Sequence, residues 1–194
     1  MARKRTAMIV AAILLLIGTL AAFRKRKQLK DIVMNTVKFI REKTWDIVTE
    51  RRIALLHPLI RDKAREFINR AEKELGIKLR ITSALRTWAE QESLYAKGRT
   101  MPGKVVTNAK PGQSLHNYGL AIDVVEIRNG KPVWTNPNWK KIGELGKRLG
   151  FAWGGDFKTI TDLPHFEMRF GKTLSELKEL YASGQRDGEY INLA

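Results

Sequence analysis

The sequence predicts an α+β domain behind an N-terminal apolar helix, and three observations carry that prediction. Apolar residues recur at helical spacing in several separate stretches, notably 55–75, 142–149 and 173–183. Short strand-like runs lie between them, at 78–83, 119–127, 133–134 and 164–168, punctuated by turn residues such as Asn129-Gly130. An uncharged run starts at Thr6 and ends at Phe23, ahead of everything else.

That run has Arg3, Lys4 and Arg5 before it and Arg24, Lys25, Arg26 and Lys27 after it. We read residues 1–27 as a single membrane anchor with basic flanks. A cleaved signal segment is the alternative, with small residues at Thr19 and Ala21. The basic flanks nearly balance, so the charge rule leaves the orientation open. Residues 28–52 read as a helical connector, with Ile32, Val33, Val37, Ile40, Trp45 and Ile47 apolar among charged neighbours. The domain is expected over 53–183 and a poorly ordered tail over 184–194.

The domain's first helix, 55–75, has Pro58 in its first turn and Gly76 as its stop. A strand at 78–83 leads to Arg86 and a helix near 88–97. A loop at 98–113, rich in Gly and Pro, follows. The strand 119–127 turns at Asn129-Gly130 into a return strand at Val133-Trp134. Asn136-Pro137 is expected to open the next helix as cap and first residue.

The net charge of the 194-residue chain is +16, yet much of the excess flanks the apolar run. No zinc-finger or RNA-recognition motif accompanies it, so nucleic acid is not an expected partner. Anionic lipid and anionic wall polymer account for the charge equally well. The chain has no cysteine, so any metal site must use His, Asp or Glu.

Two of the three histidines sit in acid-bearing clusters. His116 and Asp123 lie seven residues apart, with Asp123 inside an apolar strand where a free carboxylate would be costly. His165 follows within Asp162-Leu163-Pro164-His165-Phe166-Glu167. His116, Asp123 and His165 make the ligand set of an open zinc site, with Asp162 as a spare acid. Glu167, two residues beyond His165 on the same strand face, is a candidate to orient that imidazole. Asp156 is a rival ligand or, by preference, a turn aspartate. A salt bridge to one of the many basic residues would explain Asp123 alone but not the constellation.

The pattern Ser114, His116, Gly119, Ala121, Asp123, then Asp162 and His165, resembles the zinc peptidoglycan peptidases. These include D-alanyl-D-alanine carboxypeptidases and phage-type L-alanyl-D-glutamate endopeptidases, whose fold is shared with the hedgehog signalling domain. Residues 81–91 resemble a third motif of that family, with Ala84 where a glycine is usual. The resemblance spans about residues 53–170, and Leu56-His57-Pro58 and Trp153-Gly154-Gly155-Asp156 look most like the endopeptidase branch.

It implies a small antiparallel sheet with helices packed on it and one zinc per chain. It also implies Asp162 as the proton-transferring base and Arg86 at the active site, on a substrate carboxylate or on the carbonyl under attack. Gln91 and Ser114 follow as substrate-binding candidates, Ser114 alternatively as an orienter of the ligand. The expected substrate is the peptidoglycan stem peptide, cut between L-alanine and D-glutamate. Release of terminal D-alanine is the alternative, and a metal-bearing wall-binding module without catalysis is the reading from another class. A wall peptidase would face the periplasm or the wall.

Overall fold

The computed structural model describes residues 24–30, 43–158 and 160–193. Two compact units divide at Glu42, and the second, Lys43–Ala194, holds the domain. The expected anchor from Thr6 to Phe23, and residues 31–42 of the connector, lie outside the described residues. Residues 24–30 are helical. Among the described residues no helix is long and apolar enough to cross a membrane.

The helices of the domain are α1 (Ile47–Ala54), α2 (Pro58–Leu75), α3 (Trp88–Ala96), α4 (Trp139–Arg148) and α5 (Leu174–Ala182). Strands β1 (Leu79–Ser83), β2 (Ala121–Arg128), β3 (Lys131–Val133), β4 (Ala152–Trp153) and β5 (His165–Glu167) form one antiparallel sheet. Its order is β1-β2-β5-β4, with β3 added to the far end of β2. The α+β class with helices against a small sheet is therefore as the sequence predicts.

Alternation along the strands sorts the two faces. Ile122, Val124 and Phe166 point into the core, where Phe67 of α2 meets Phe166 at 4.7 Å between ring centroids. The buried residues Ile60, Ala64, Phe67, Ile68 and Ala71 of α2 recur at helical spacing and line that core. Helix α4 comes close enough that a Cβ on Gly146 would lie 2.5 Å from the Phe166 ring, and one on Gly143 2.4 Å from Trp153. The opposite face carries Asp123, His165 and Glu167.

Three expectations are corrected. The domain begins before residue 53. Trp45 donates its indole N–H to the Leu79 carbonyl at 2.9 Å, and Asp46 pairs with Arg80 while capping α1. Thr49 Oγ1 accepts from Ile81 N at 3.1 Å, and Arg52 donates to Ile81 O. Helix α1 thus covers the outer edge of β1, which would otherwise present unpaired backbone groups.

The helix expected at Asn136-Pro137 starts two residues later, with Asn138 as its cap residue. Asn136 is spent elsewhere: it donates to buried Glu126 at 2.6 Å and accepts from Asn138 N at 2.8 Å.

The tail is also ordered. Strands β6 (Arg186–Asp187) and β7 (Tyr190–Ile191) form a hairpin that returns to the start of α2. There His57 Nε2 meets Ile191 O at 3.0 Å, and Tyr190 stands edge-on to the His57 ring. That partnership also gives the third histidine its role, as the cap of α2.

Candidate metal centre and active site

His116 sits in a 3₁₀ turn, Leu115–Tyr118, that starts from Ser114 and ends at Gly119. The Ser114 hydroxyl accepts from His116 N at 3.3 Å, a contact that orients the ligand turn. Gly119 has φ +67°, the left-handed conformation glycine tolerates, and a Cβ there would lie 2.8 Å from His57 N. The turn is pinned from three sides. Arg86 N donates to His116 O at 2.9 Å, Asn117 Nδ2 donates to Arg86 O at 2.9 Å, and His57 N donates to Gly119 O at 2.9 Å.

Register does the rest. Asp123 on β2 lies directly opposite His165 on β5, and opposite Ser83 on β1 across an irregularity between Ile81 and Ser83. Such a bulge re-aims the strand end, where Ser83 Oγ accepts from Arg86 Nη2 at 3.0 Å. His116 Nε2 and His165 Nδ1 both converge on Asp123 Oδ1, at 3.2 and 3.1 Å. One ligand atom from each of the three residues lies within 4.8 Å of the others.

The remaining ring nitrogens are already committed. His116 Nδ1 faces the Ala84 carbonyl at 2.7 Å, and His165 Nε2 faces Glu167 Oε2 at 3.0 Å. A hydrogen bond at one nitrogen fixes the tautomer and leaves the other lone pair for a metal. The donor set therefore fits a divalent cation held by two imidazoles and a carboxylate. It selects the ligating atoms as His116 Nε2 and His165 Nδ1.

Burial pushes the Asp123 carboxyl up, but the two imidazoles outweigh it and hold the group well below the usual carboxylate range. Burial pushes His165 down, and hydrogen bonds to Asp123 and Glu167 overcome that, raising it to about 9. Glu167, also buried, is lowered because His165 and Arg169 outweigh its desolvation.

Asp162 is brought to the same place by a tight turn. Its N–H donates to Gly154 O at 2.9 Å and its carbonyl accepts from His165 N at 3.1 Å. A Cβ on Gly154 would lie 2.4 Å from Asp162 O, so the close approach requires glycine there. Burial and the Asp123 charge raise the Asp162 carboxyl, against the opposing pull of His165, His116 and Arg86. A carboxyl with a raised pKa beside a metal group is suited to proton transfer.

Arg86 reaches the group from the other side. Its Nη2 lies 3.6 Å from Asp123 Oδ2 and donates to Ser83 Oγ at 3.0 Å, while Nη1 donates to Gln91 Oε1 at 2.9 Å. Gln91 is fully buried and also donates to Ala109 O at 2.7 Å. The expectation that Gln91 meets substrate is corrected: a side chain with no exposed surface positions Arg86 instead. Asp156 stands outside the group and pairs with Lys147 at 2.9 Å, which leaves it the turn role.

Sequence reasoning missed Ser83, the Ala84 carbonyl and Asn117, which hold Arg86, His116 and the turn. The signal for Ser83 was its position at the end of a strand, opposite the acid-bearing strand. A backbone carbonyl such as that of Ala84 leaves no side-chain signal.

Two imidazoles and a carboxylate on adjoining elements form a metal centre of the kind metallopeptidases use, and the comparisons assign that class. The chain belongs to the peptidase M15 family. A model of that family described as D-alanyl-D-alanine carboxypeptidase matches residues 107–168. The chain is 42% identical over 123 residues to the peptidoglycan L-alanyl-D-glutamate endopeptidase CwlK of Bacillus subtilis (strain 168), covering 58% of this chain and 73% of that protein. It is 29% identical over 111 residues to the L-alanyl-D-glutamate peptidase of Listeria phage A118, covering 55% of this chain and 36% of that one. Among solved structures, the LdcB LD-carboxypeptidase superposes with a TM-score of 0.50 at 18% identity, over 72% of this chain and 70% of that one, a likeness of fold.

Proposed function

We propose that this protein is a zinc-dependent peptidoglycan endopeptidase that hydrolyses the L-alanyl-D-glutamate bond of the stem peptide. The observation that carries the reading is the His116–Asp123–His165 group in a chain 42% identical to an endopeptidase of that specificity.

His116 Nε2, Asp123 and His165 Nδ1 would hold the metal. Bound there, zinc supplies a Lewis acid for the scissile carbonyl and makes water a nucleophile near neutral pH. Asp162 accepts the proton of the attacking water and returns it to the leaving amine. Arg86, fixed by Gln91 and Ser83, presents permanent positive charge to the oxygen on which negative charge develops, or to a substrate carboxylate. Glu167 and the Ala84 carbonyl keep the two rings in the ligating tautomer.

We also propose that the run from Thr6 to Phe23 anchors the protein in a membrane with its N-terminus inside, so that the domain faces the periplasm or wall. The functional argument for this orientation is the location of the substrate.

The test is digestion of purified peptidoglycan by the full chain, read by mass spectrometry. New L-alanine carboxyl ends and D-glutamate amino ends are expected. Release of free D-alanine would move the activity to the carboxypeptidase named by the family description. Intact peptidoglycan, with zinc bound at about one per chain, would leave a wall-binding module.

A further inference from the structure

Beside the metal group lies a cleft of about 550 Å³ whose lining includes Arg52, Leu55, Leu85, Arg86, Leu94 and Lys97. Ser83 also lines it, so it shares two residues with the active site. Helix α1 covers the edge of β1 only as far as Ile81, through Trp45, Thr49 and Arg52. The cleft opens where that cover ends, between the last turn of α1 and the exposed side of α3.

Its charge is lopsided. Among the described residues, neither Arg52 nor Lys97 forms a salt bridge with a carboxylate. Arg52 donates to the Ile81 carbonyl, and Lys97 is exposed. The acid in the lining, Glu90, uses Oε2 to accept from the N–H and hydroxyl of Thr87 at the cap of α3. Leu55, Leu85 and Leu94 add apolar surface to the same lining. An occupant with carboxylates on a short apolar frame matches this lining.

Stem-peptide chemistry then sets a direction. The stem is joined to its sugar through the L-alanine amine, so every free carboxylate lies on the D-glutamate side of the L-alanyl-D-glutamate bond. We propose that this cleft holds the carboxylate-bearing D-glutamate side of the stem peptide, so that substrate runs from the metal group past Arg86 toward Lys97. The inference rests on the endopeptidase reading above. It adds a substrate polarity and two residues, Arg52 and Lys97, that recognise the leaving side.

The test uses the zinc-loaded full chain and two probes, γ-D-glutamyl-glycine and its bis-amide, with binding followed by calorimetry. Lys97→Glu should weaken the free acid about fivefold, as expected for a partly exposed charge contact, and leave the affinity for the bis-amide as in wild type. Ser93→Trp, an exposed position on the wall of the cleft, should weaken both probes. Equal affinity of wild type and Lys97→Glu for the free acid would overturn the proposal, as would free-acid binding untouched by Ser93→Trp. Peptidoglycan digestion separates the two readings. A binding difference without cleavage at L-alanyl-D-glutamate would fault the bond assignment and leave the anion subsite standing.

Discussion

Replacing Glu167 tests how the ring of His165 is held. His165 and Glu167 are buried, at 8% and 5% relative exposure respectively, and meet at 3.0 Å. A charge-assisted hydrogen bond of that kind contributes about 1.5–3 kcal/mol, which converts to about 10–100-fold in an equilibrium constant. The loss usual for an outer partner of a metal-ligating histidine is also about 10–100-fold in affinity.

Proton competition modifies the effect with a definite sign. Metal-free His165 is raised to about 9, partly by Glu167, so below that pH zinc must displace a proton from the ring. Glu167→Gln lowers the His165 pKa and relieves some of that competition. Its zinc deficit should therefore be largest near pH 9 and smaller at pH 7. Near pH 9 we expect a loss of about tenfold for Glu167→Gln and about a hundredfold for Glu167→Ala. The assay is competition with a chromophoric chelator at both pH values, with melting in chelator as the control for folding. Unchanged affinity near pH 9, or a deficit that grows toward pH 7, would refute the reasoning.

Asp162→Asn should keep zinc and lose about 10²–10⁴-fold in kcat, and retained turnover in a peptide-release assay would assign the base elsewhere. Gln91→Leu should leave zinc content unchanged while lowering kcat/KM about tenfold, because one guanidinium hydrogen bond is lost; unchanged kinetics would show that Arg86 holds itself. Asp46 is held below its ordinary pKa because Arg80 and Thr49 outweigh the effect of burial. Its contribution is thus present above the ordinary aspartate range and lost as pH falls through the lowered value. Asp46→Asn keeps a capping oxygen but loses the charge paired with Arg80, and should cost about 1 kcal/mol in urea unfolding at neutral pH, with the gap to wild type closing below about pH 4; a gap that persists in acid would contradict this. Truncation after Gly184 removes Ile191 and the partner of His57, and should lower the melting temperature by about 2–4 °C per kcal/mol lost; an unchanged melting point would mean the hairpin adds no stability.

The site was legible in sequence where chemistry is written in side chains at short spacing. His116 with Asp123, and Asp162 with His165, announce themselves because a carboxylate in an apolar strand needs a partner. What the sequence could not choose was the ligating nitrogen of each ring. That choice depends on the Ala84 carbonyl and on Glu167, through a backbone atom and a strand register. The burial of Gln91 could not be read because helix periodicity says nothing about Ala109, 18 residues on, closing over it.

Fold class was readable from the alternation of helical and strand periods, while the ends of the domain were not. The contact between His57 and Ile191 spans 134 residues, and no local pattern encodes it. The start was missed because Trp45 and Ile47 continue the periodicity of the preceding stretch, yet Trp45 and Asp46 engage β1. At Asn136, capping preference was outcompeted by a buried carboxylate, Glu126, that needed a donor.

The central claim is one metal held by His116, Asp123 and His165, and zinc-edge anomalous diffraction from crystals of the zinc-loaded chain tests it most directly. The account predicts a single strong peak about 2.0–2.2 Å from His116 Nε2, His165 Nδ1 and an Asp123 oxygen, with Glu167 on the far nitrogen of His165. A peak bound through His165 Nε2, or one that takes Glu167 in place of Asp123, would contradict it.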